Sequence, residues 1–261
     1  MSNVPELPSI VKSIKKRFLK MYFNAKAGHI GSSLSCTEIL TFLKFSWMNE
    51  NDELVLSKGH AAAVLYSVWA EAGIISEEEI NTFYKNGTYL SAHPPVNKIK
   101  GIPFATGSLG HGLGLAAGLA LASKLKKDDR KIFCVTSDGE INEGSTWEAV
   151  LFIKAQQLNN LIWIIDRNKL QGFGHTESIM PLEPLNEKLL AFGFDVIRIN
   201  GHDINDFQKA KNGCQNCNKP TVIIADTNKG NGWEGMQDKL ECHYLPMNLA
   251  QYEAMMLELA D

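Results

Sequence analysis

Two short apolar runs, each followed at once by polar residues, constrain the fold of this chain more than any other feature of its sequence. One run spans residues 132–136 and leads into Asp138 and Gly139, and the other spans residues 161–165 and leads into Asn168. A helix-length stretch separates the two runs, as expected for neighbouring parallel strands joined by a helix. The carboxyl ends of such strands meet at one edge of the sheet, where open α/β sheets bind their ligands. We therefore expect Asp138 and Asn168 to lie side by side there.

The polar residues at these strand ends are typical of a site for a divalent cation and a diphosphate. A carboxylate, an amide oxygen and a backbone carbonyl are hard oxygen donors, which suit Mg2+ or Ca2+ and leave coordination positions for phosphate oxygens. Gly139 lacks the Cβ that would keep a diphosphate away from the backbone. The same residues also fit a second interpretation, in which Asp138 caps a helix and Asn168 lies in a turn.

Predicted strands and helices alternate from residue 131 onward, which favours an α/β fold, a parallel sheet with helices on both faces. The predicted strands are 131–136, 161–165, 194–198 and 221–226, and the predicted helices among them are 144–158, 184–191 and 204–211. Between the second strand and the next helix we expect a long loop over residues 166–183. We expect one domain over residues 1–261, because this length fits a single α/β domain.

The first third of the chain shows helical periodicity but no clear strand. Apolar residues recur at helical spacing over 11–25, 35–47 and 61–72, and Ser76 begins a capping-box pattern that starts a further helix. A glycine-rich segment over 109–126 is also predicted to be helical. We therefore expect this part of the chain to add helices and long loops around one face of the sheet.

Charge and composition exclude several classes of protein. The net charge is -3 without a basic block, which argues against nucleic acid and anionic membranes as partners. No apolar run is long enough to span a membrane, and no secretory signal is visible at the start of the sequence. The five cysteines are dispersed, as is typical of a reducing compartment, so we expect a cytoplasmic protein.

Four further motifs that contain histidine and mostly glycine follow one another along the first 112 residues. They are Gly28-His29-Ile30-Gly31, Leu56-Ser57-Lys58-Gly59-His60, Ala92-His93-Pro94 and Thr106-Gly107-Ser108-Leu109-Gly110-His111-Gly112. Together with Asp138, Gly139 and Asn168, which resemble the thiamine-diphosphate signature, they make the chain similar to the N-terminal, diphosphate-binding half of transketolases. The resemblance covers nearly the whole chain, from near Ile10 to near Leu245, and implies the thiamine-diphosphate-binding fold.

The resemblance implies thiamine diphosphate and a divalent cation, Mg2+ or Ca2+, as cofactors. Asp138, Asn168 and the backbone carbonyl of Leu170 match the metal ligands of the family. The residues expected at the cofactor are His60, Gly107, Ser108, Leu109, Asp138, Gly139, Glu140 and Asn168. Two positions depart from the family pattern, since Ser137 stands where a glycine is usual and His111 where a glutamine is usual.

Four histidines match positions that line the channel to the reactive ring of the cofactor in this family, and we expect them to be catalytic: His29, His60, His93 and His243. The resemblance implies that His29 and His243 handle oxygen atoms of the substrate or of the ketol intermediate. It places His60 near the diphosphate and His93 near the C1 hydroxyl of the donor. Neutral imidazole donates and accepts hydrogen bonds, which suits sugar hydroxyls and proton transfer. Pro95 replaces the glutamate that usually follows the His93 motif.

The zinc-type spacing of Cys214 and Cys217 suggests another metal site. Zinc would need roughly two further ligands, for which Cys242 and His243 are the candidates. The alternative is a polar loop before the strand at 221–226. We favour the loop, because the resemblance gives His243 a different role.

The resemblance also implies a partner chain. Transketolases bind their cofactor between two domains from different subunits, and this chain matches only one of them. We therefore expect a split enzyme in which a separate, C-terminal type of chain supplies the pyrimidine-binding domain, with a truncated piece of a longer protein as the alternative. Glu143 and Glu148 match positions at the interface between two copies of this subunit, which implies self-association and a heterotetramer.

Three hypotheses for function follow. The leading one is a transketolase reaction, in which a two-carbon ketol unit passes from a ketose to an aldose. The second keeps the cofactor and changes the chemistry to a related synthase that uses a 2-oxo acid donor or makes an unusual sugar. The third is a non-catalytic partner subunit, against which the complete set of metal ligands argues. The sequence identifies neither donor nor acceptor, nor whether the sugar carries a phosphate.

Overall fold

The computed structural model describes residues 7–214 and 219–260, and a five-stranded parallel sheet forms its centre. The strands of this sheet are β1 (Glu53–Leu56), β2 (Ile132–Ser137), β3 (Leu161–Arg167), β6 (Asp195–Asn200) and β7 (Thr221–Asp226), in the spatial order β1-β2-β3-β7-β6. A small antiparallel hairpin of β4 (Leu170–Gln171) and β5 (Gly174–His175) follows β3. The predicted α/β class with a parallel sheet is therefore confirmed.

The described part of the chain also contains twelve α-helices. They are α1 (Leu7–Ala25), α2 (Ile30–Ser35), α3 (Thr37–Phe42), α4 (Ala62–Glu71), α5 (Glu77–Ile80), α6 (Gly112–Lys126), α7 (Gly144–Ala155), α8 (Thr176–Ile179), α9 (Leu185–Ala191), α10 (Ile204–Gly213), α11 (Glu241–Tyr244) and α12 (Leu249–Glu258). Short 3-10 turns occupy Gly59–Ala61 and Gly139–Asn142, and a π-helical turn, Leu43–Trp47, follows α3. Within the described ranges, no helix is long and apolar enough to cross a membrane.

Both faces of the sheet are buried, which explains why its central strands have unbroken apolar sequences. Every residue of β2 and β3 is buried. Phe133 and Ile164 belong to the apolar core on one face, together with residues of α1, α3 and α4. Cys134 and Trp163 belong to the core on the other face, together with residues of α6, α7 and α9. The helices thus lie on both faces, as the alternation of elements predicts.

Two parts of the fold differ from the expectation. The first third of the chain does contain a strand, since residues 53–56 form β1 and pair with β2 at the edge of the sheet. Four residues offer too little periodicity to distinguish a strand from a loop. Residues 166–183 are not one long loop, because they include β4, β5 and α8. Elements of two to four residues leave no periodic signal in a sequence.

The loops that follow β1, β2 and β3 lie together at the carboxyl ends of these strands, because the three strands are parallel. Ser137 pairs with Asp166, and the N–H of Asp138 donates to the carbonyl of Asp166 at 3.2 Å. On the other side of β2, the N–H of Lys58 donates to the carbonyl of Val135 at 3.3 Å. Residues that are far apart in the sequence therefore share one crevice at the carboxyl ends of these strands.

Candidate active site

A pocket of about 330 Å3 opens at the carboxyl ends of the strands. Most residues expected at a cofactor or in catalysis line it: His29, His60, His93, Gly107, Leu109, Asp138, Gly139, Asn168, Leu170 and His243. A larger cavity of about 970 Å3 is lined by residues of α1, α5 and α12, but by none of the predicted site residues. The smaller pocket is therefore the candidate active site.

The three predicted metal ligands lie together in this pocket and are almost fully buried. The Asp138 carboxylate accepts hydrogen bonds from the Lys169 N–H at 2.7 Å and from Thr176 Oγ1 at 3.0 Å. The amide oxygen of Asn168 accepts one from the Leu170 N–H at 3.2 Å, which orders the turn between β3 and β4. These hydrogen bonds hold the carboxylate and the amide oxygen in place within the pocket.

The donor set fits a hard divalent cation. Carboxylate, amide and carbonyl oxygens are the ligands that Mg2+ and Ca2+ prefer. Desolvation, together with repulsion by Asp166, raises the pKa of Asp138, because a buried negative charge is costly without a neighbouring cation. A cation bound at these oxygens would remove much of that cost.

An ion pair between Lys58 and Asp166 lies next to the pocket, and neither side chain reaches solvent. Asp166 also accepts hydrogen bonds from Ser35 Oγ at 2.6 Å and from the Thr227 hydroxyl. Desolvation opposes the charge of Lys58, but Asp166, Cys36 and Asp138 together outweigh it and raise the pKa of the lysine. Desolvation opposes the Asp166 charge as well, yet Lys58 lowers the pKa of this carboxylate. Both groups are therefore charged, and they connect the loop after β1 to β3.

Lys229, in the loop after β7, is a second buried lysine, and it lines the pocket itself. Its ammonium donates to the Leu170 carbonyl at 2.7 Å and to His243 Nδ1 at 2.6 Å. Desolvation and repulsion by Lys58 lower the pKa of Lys229 to about 8, in spite of the attraction of Asp138. Lys229 thus brings a positive charge next to one of the predicted metal ligands, which suits the binding of a diphosphate.

The predicted channel histidines form a cluster. The ring centre of His29 lies 5.5 Å from that of His60 and 5.1 Å from that of His243, and the last two are 5.8 Å apart. His93 lines the same pocket. Desolvation lowers the pKa of each imidazole, well below the ordinary value for His60 and to about 3 for His243. All four rings are therefore neutral at pH 7 and able to donate and accept hydrogen bonds.

Backbone geometry determines where two of these histidines lie. His29 adopts a left-handed conformation with a φ of 71°, which is uncommon for a residue with a Cβ, and its N–H donates to the carbonyl of His243 at 2.9 Å. Gly107 has a φ of 142°, and a Cβ at this position would lie 2.6 Å from Cδ2 of His93. Because Gly107 has no side chain, the His93 ring can pack directly against the backbone of Gly107.

Two residues expected at the cofactor, Ser108 and Glu140, do not line the pocket. Ser108 is exposed. Glu140 is fully buried, and its carboxylate accepts hydrogen bonds from the Gly110 N–H at 2.8 Å and from the Ser57 hydroxyl. Glu140 therefore connects the loop after β1 to the loop before α6, and its contact with a cofactor stays a prediction.

The two glutamates predicted at an interface between copies of this subunit lie on the exposed side of α7 and the turn before it. Glu143 and Glu148 are both exposed, and Glu143 also lines the pocket. Leu151 and Phe152 of α7 and Leu115 of the neighbouring α6 are exposed as well. Apolar side chains thus accompany the acidic ones on a surface that is open to another chain.

The zinc interpretation gains no support from the described part of the chain. Cys217 lies outside the described residues, Cys242 is fully buried, and His243 lines the pocket. Among the described residues, no group of three or more His, Cys, Asp and Glu side chains is arranged to hold a metal ion. The predicted Mg2+ site is of another kind, since Asp138 is the one carboxylate among its three ligands.

Sequence reasoning missed the roles of the two buried lysines. Lys58 follows the apolar run of β1 by two residues, and Lys229 follows β7 by three residues in a glycine-containing loop. A lysine at the carboxyl end of an apolar strand is a signal of a site in this crevice. The signal is weak, because lysines are almost always exposed and a sequence does not show which of them is buried.

Comparison with known proteins decides the family. Residues 9–259 match the family model described as the transketolase, thiamine diphosphate binding domain. This chain belongs to the transketolase family. It is 38% identical over 257 residues to a subunit of the apulose-4-phosphate transketolase of Phocaeicola vulgatus, an alignment that covers 95% of this chain and 91% of the relative. It is 36% identical over 256 residues to the 6-deoxy-6-sulfo-D-fructose transketolase subunit SqwG of a Clostridium species, covering 94% of this chain and 93% of the relative.

Solved structures agree with this assignment. The transketolase-family chain superposes on the crystal structure of transketolase from Campylobacter jejuni with a TM-score of 0.92 at 28% sequence identity. The match covers 99% of this chain but 43% of the Campylobacter enzyme. The chain therefore corresponds to one part of that transketolase, whereas it spans nearly the full length of the two subunits above.

Proposed function

We propose that this chain is the diphosphate-binding subunit of a split, thiamine-diphosphate-dependent transketolase, which transfers a two-carbon ketol unit from a ketose to an aldose. The observation that carries the proposal is the pocket at the strand ends, where three hard oxygen donors and four neutral histidines line one space. Two relatives that are named as transketolase subunits, and that the chain covers almost completely, support the split arrangement.

The oxygen atoms of Asp138, Asn168 and Leu170 are proposed to hold Mg2+, with His60, Gly107, Leu109 and Gly139 around the rest of the cofactor. When bound, thiamine diphosphate supplies the carbanion chemistry of ketol transfer. The ammonium of Lys229 makes its contacts with a carbonyl oxygen and an imidazole, so its charge remains available to a diphosphate. Lys58 is less suited to that role, because Asp166 already neutralises it.

The histidines are proposed to bind the sugar and to move its hydroxyl protons. His29 and His243 are close enough to bond to neighbouring oxygens of one substrate molecule, since their ring centres are 5.1 Å apart. His93 is assigned to the C1 hydroxyl of the donor. Neutral imidazoles suit this work, because each can accept a proton at one nitrogen while it donates from the other.

A separate pyrimidine-binding chain is proposed to cover the pocket. Phe173 and Tyr244 line its mouth with 86% and 51% of their surfaces exposed. Exposed aromatic side chains beside a cofactor pocket are typical of a surface that a protein partner covers. A second copy of this chain is proposed to bind at the side of α7 that carries Glu143 and Glu148, which gives a heterotetramer. We place the assembly in the cytoplasm.

The substrate is proposed to be a sugar with an anionic end. The names of the two relatives contain a sugar phosphate and a sulfo-sugar. Among the described residues that line the pocket, however, Lys229 is the cationic one, and it lies beside the predicted metal ligands. The positive groups that recognise the anionic end are therefore expected from the partner chain.

A reconstitution assay tests the proposed function. This chain and the candidate pyrimidine-binding chain are purified separately, mixed with thiamine diphosphate and Mg2+, and supplied with a ketose phosphate or with pyruvate as donor and an aldose phosphate as acceptor. Two-carbon transfer from the ketose, and only with both chains present, is the expected result. Turnover of pyruvate alone would indicate the synthase chemistry, and full activity of an Asp138→Ala mixture would indicate a non-catalytic subunit.

A further inference from the structure

We propose that Lys229 is a positioning residue that fixes His243 in its neutral Nε2–H tautomer, so that the imidazole presents a hydrogen-bond donor to the pocket. The tautomer is a property of this chain alone. The identity of the group that accepts this hydrogen bond, an oxygen atom of the sugar, rests on the proposed function.

The contacts of the lysine assign the proton. The Lys229 ammonium lies 2.6 Å from His243 Nδ1 and 2.7 Å from the carbonyl oxygen of Leu170. An ammonium group has three donors and no acceptor, so Nδ1 must be the acceptor of this hydrogen bond. In a neutral imidazole the proton is then on Nε2.

The position of Lys229 keeps this hydrogen bond in place. The side chain is 2% exposed, so water is not a competing partner for its ammonium. Among the ion pairs of the described residues, none involves Lys229. A charged donor whose neighbours are a carbonyl and an imidazole makes strong hydrogen bonds to both, because each is charge-assisted. The same contacts connect His243 to β4, which begins at the predicted metal ligand Leu170.

The other nitrogen of His243 lies beside Gly172, and both residues line the pocket. A Cβ on Gly172 would lie 3.6 Å from Nε2 and only 2.7 Å from the Tyr244 hydroxyl oxygen, so the glycine makes room for the tyrosine. Tyr244 donates to the Gly172 carbonyl at 2.6 Å, and its ring packs edge-on against the His243 ring with the centres 4.6 Å apart. The imidazole is thus held by Lys229 at Nδ1 and by the ring of Tyr244, and its Nε2 lies on the side of Gly172.

His202, outside the pocket, provides an internal reference with the opposite tautomer. Its Nδ1 lies 3.1 Å from a carboxylate oxygen of Glu38, and its Nε2 accepts the N–H of Asn228 at 3.0 Å. A backbone N–H can only donate, so Nε2 carries no proton, and His202 carries its proton on Nδ1, which faces Glu38. One spectrum of the protein should therefore contain both neutral forms.

The test is an imidazole 15N NMR spectrum of the chain labelled at histidine, recorded at pH 7.5 without cofactor or substrate. His243→Asn and His202→Asn assign the two signal pairs. The expected wild-type result is a protonated Nε2 for His243 and a protonated Nδ1 for His202. In Lys229→Met, the His243 signals should move towards the average of the two tautomers. In the matched control Lys239→Met, which removes an exposed lysine of the same segment, they should stay unchanged.

A protonated Nδ1 on His243 in the wild type would overturn the proposal, and so would unchanged His243 signals in Lys229→Met. If the His202 signals also change in that variant, the loop of Asn228, whose N–H bonds to His202, has shifted, and Lys229→Arg replaces it. A guanidinium has donors and no acceptor, so the Nε2–H form of His243 must persist there for the proposal to stand. Because no cofactor or substrate is present, a negative result leaves the proposed ketol transfer untouched.

Discussion

Lys58 and Lys229 are both buried beside the same pocket, yet their surroundings differ. Lys58 pairs with the carboxylate of Asp166, which raises its pKa against the effect of burial. Lys229 contacts the Leu170 carbonyl and the His243 imidazole, and its pKa falls to about 8. A buried charge that is already neutralised contributes to the fold, whereas a buried charge without a direct counter-ion is available to a ligand. The comparison assigns Lys58 to structure and Lys229 to binding.

The largest effect is expected when the ion pair is broken. Lys58→Met leaves the Asp166 charge buried and unpaired, and should lower the free energy of unfolding by about 3–5 kcal/mol. Urea denaturation measures this loss. The double variant Lys58→Met with Asp166→Asn should be less destabilised than Lys58→Met alone, because it also removes the unpaired, buried charge of Asp166. Equal stability of Lys58→Met and the wild type would contradict the structural role of Lys58.

The next effect concerns the metal. Asp138→Asn should keep the fold, because an amide oxygen can still accept from Lys169 and Thr176. It should weaken Mg2+-dependent binding of thiamine diphosphate by at least about a hundredfold. Substitutions of residues that only hydrogen-bond to metal ligands already weaken metal binding by up to about that factor. Calorimetric titration measures the affinity, with Asp129→Asn at an exposed site as the control. Unchanged affinity in Asp138→Asn would remove Asp138 from the metal site.

Lys229→Met tests the other side of the comparison. The free energy of unfolding should fall by about 1–3 kcal/mol, less than in Lys58→Met, because the carbonyl and imidazole that lose their donor are buried but neutral. The affinity for thiamine diphosphate with Mg2+ should fall by about tenfold or more, since a charge-assisted bond to the diphosphate is lost. Lys239→Met is the control. A destabilisation as large as that of Lys58→Met, with unchanged affinity, would reverse the two roles.

The smallest effect is on the pH dependence of stability. Desolvation, then repulsion by Lys58 and Lys229, lowers the pKa of His60 well below its ordinary value. Below about pH 6.5 the unfolded chain therefore binds a proton that the folded chain does not, and stability falls as the pH falls. Between pH 7.5 and 5.5, urea denaturation of the wild type should show a larger loss than His60→Asn, by roughly 1 kcal/mol. Equal losses would indicate that His60 is not held neutral by its surroundings.

The sequence predicts some of this architecture and not the rest, for physical reasons. Asp138 and Asn168 could be placed side by side because each directly follows a strand whose apolar run is unmistakable, and parallel strands end at one edge. The short strand β1 could not be predicted from the sequence, and neither could the burial of Lys58, which follows it. The meeting of Lys229 with Leu170 and His243 depends on loops without periodicity, so it appears only once the chain is folded.

The most direct test of the central claim is calorimetric titration of the wild-type chain with thiamine diphosphate, in Mg2+ and in excess chelator, with and without the pyrimidine-binding chain. We expect binding in Mg2+ that disappears in chelator and becomes tighter when the partner chain is present. No binding under any of these conditions, or binding of equal strength in chelator, would contradict the proposed cofactor site at Asp138, Asn168 and Leu170.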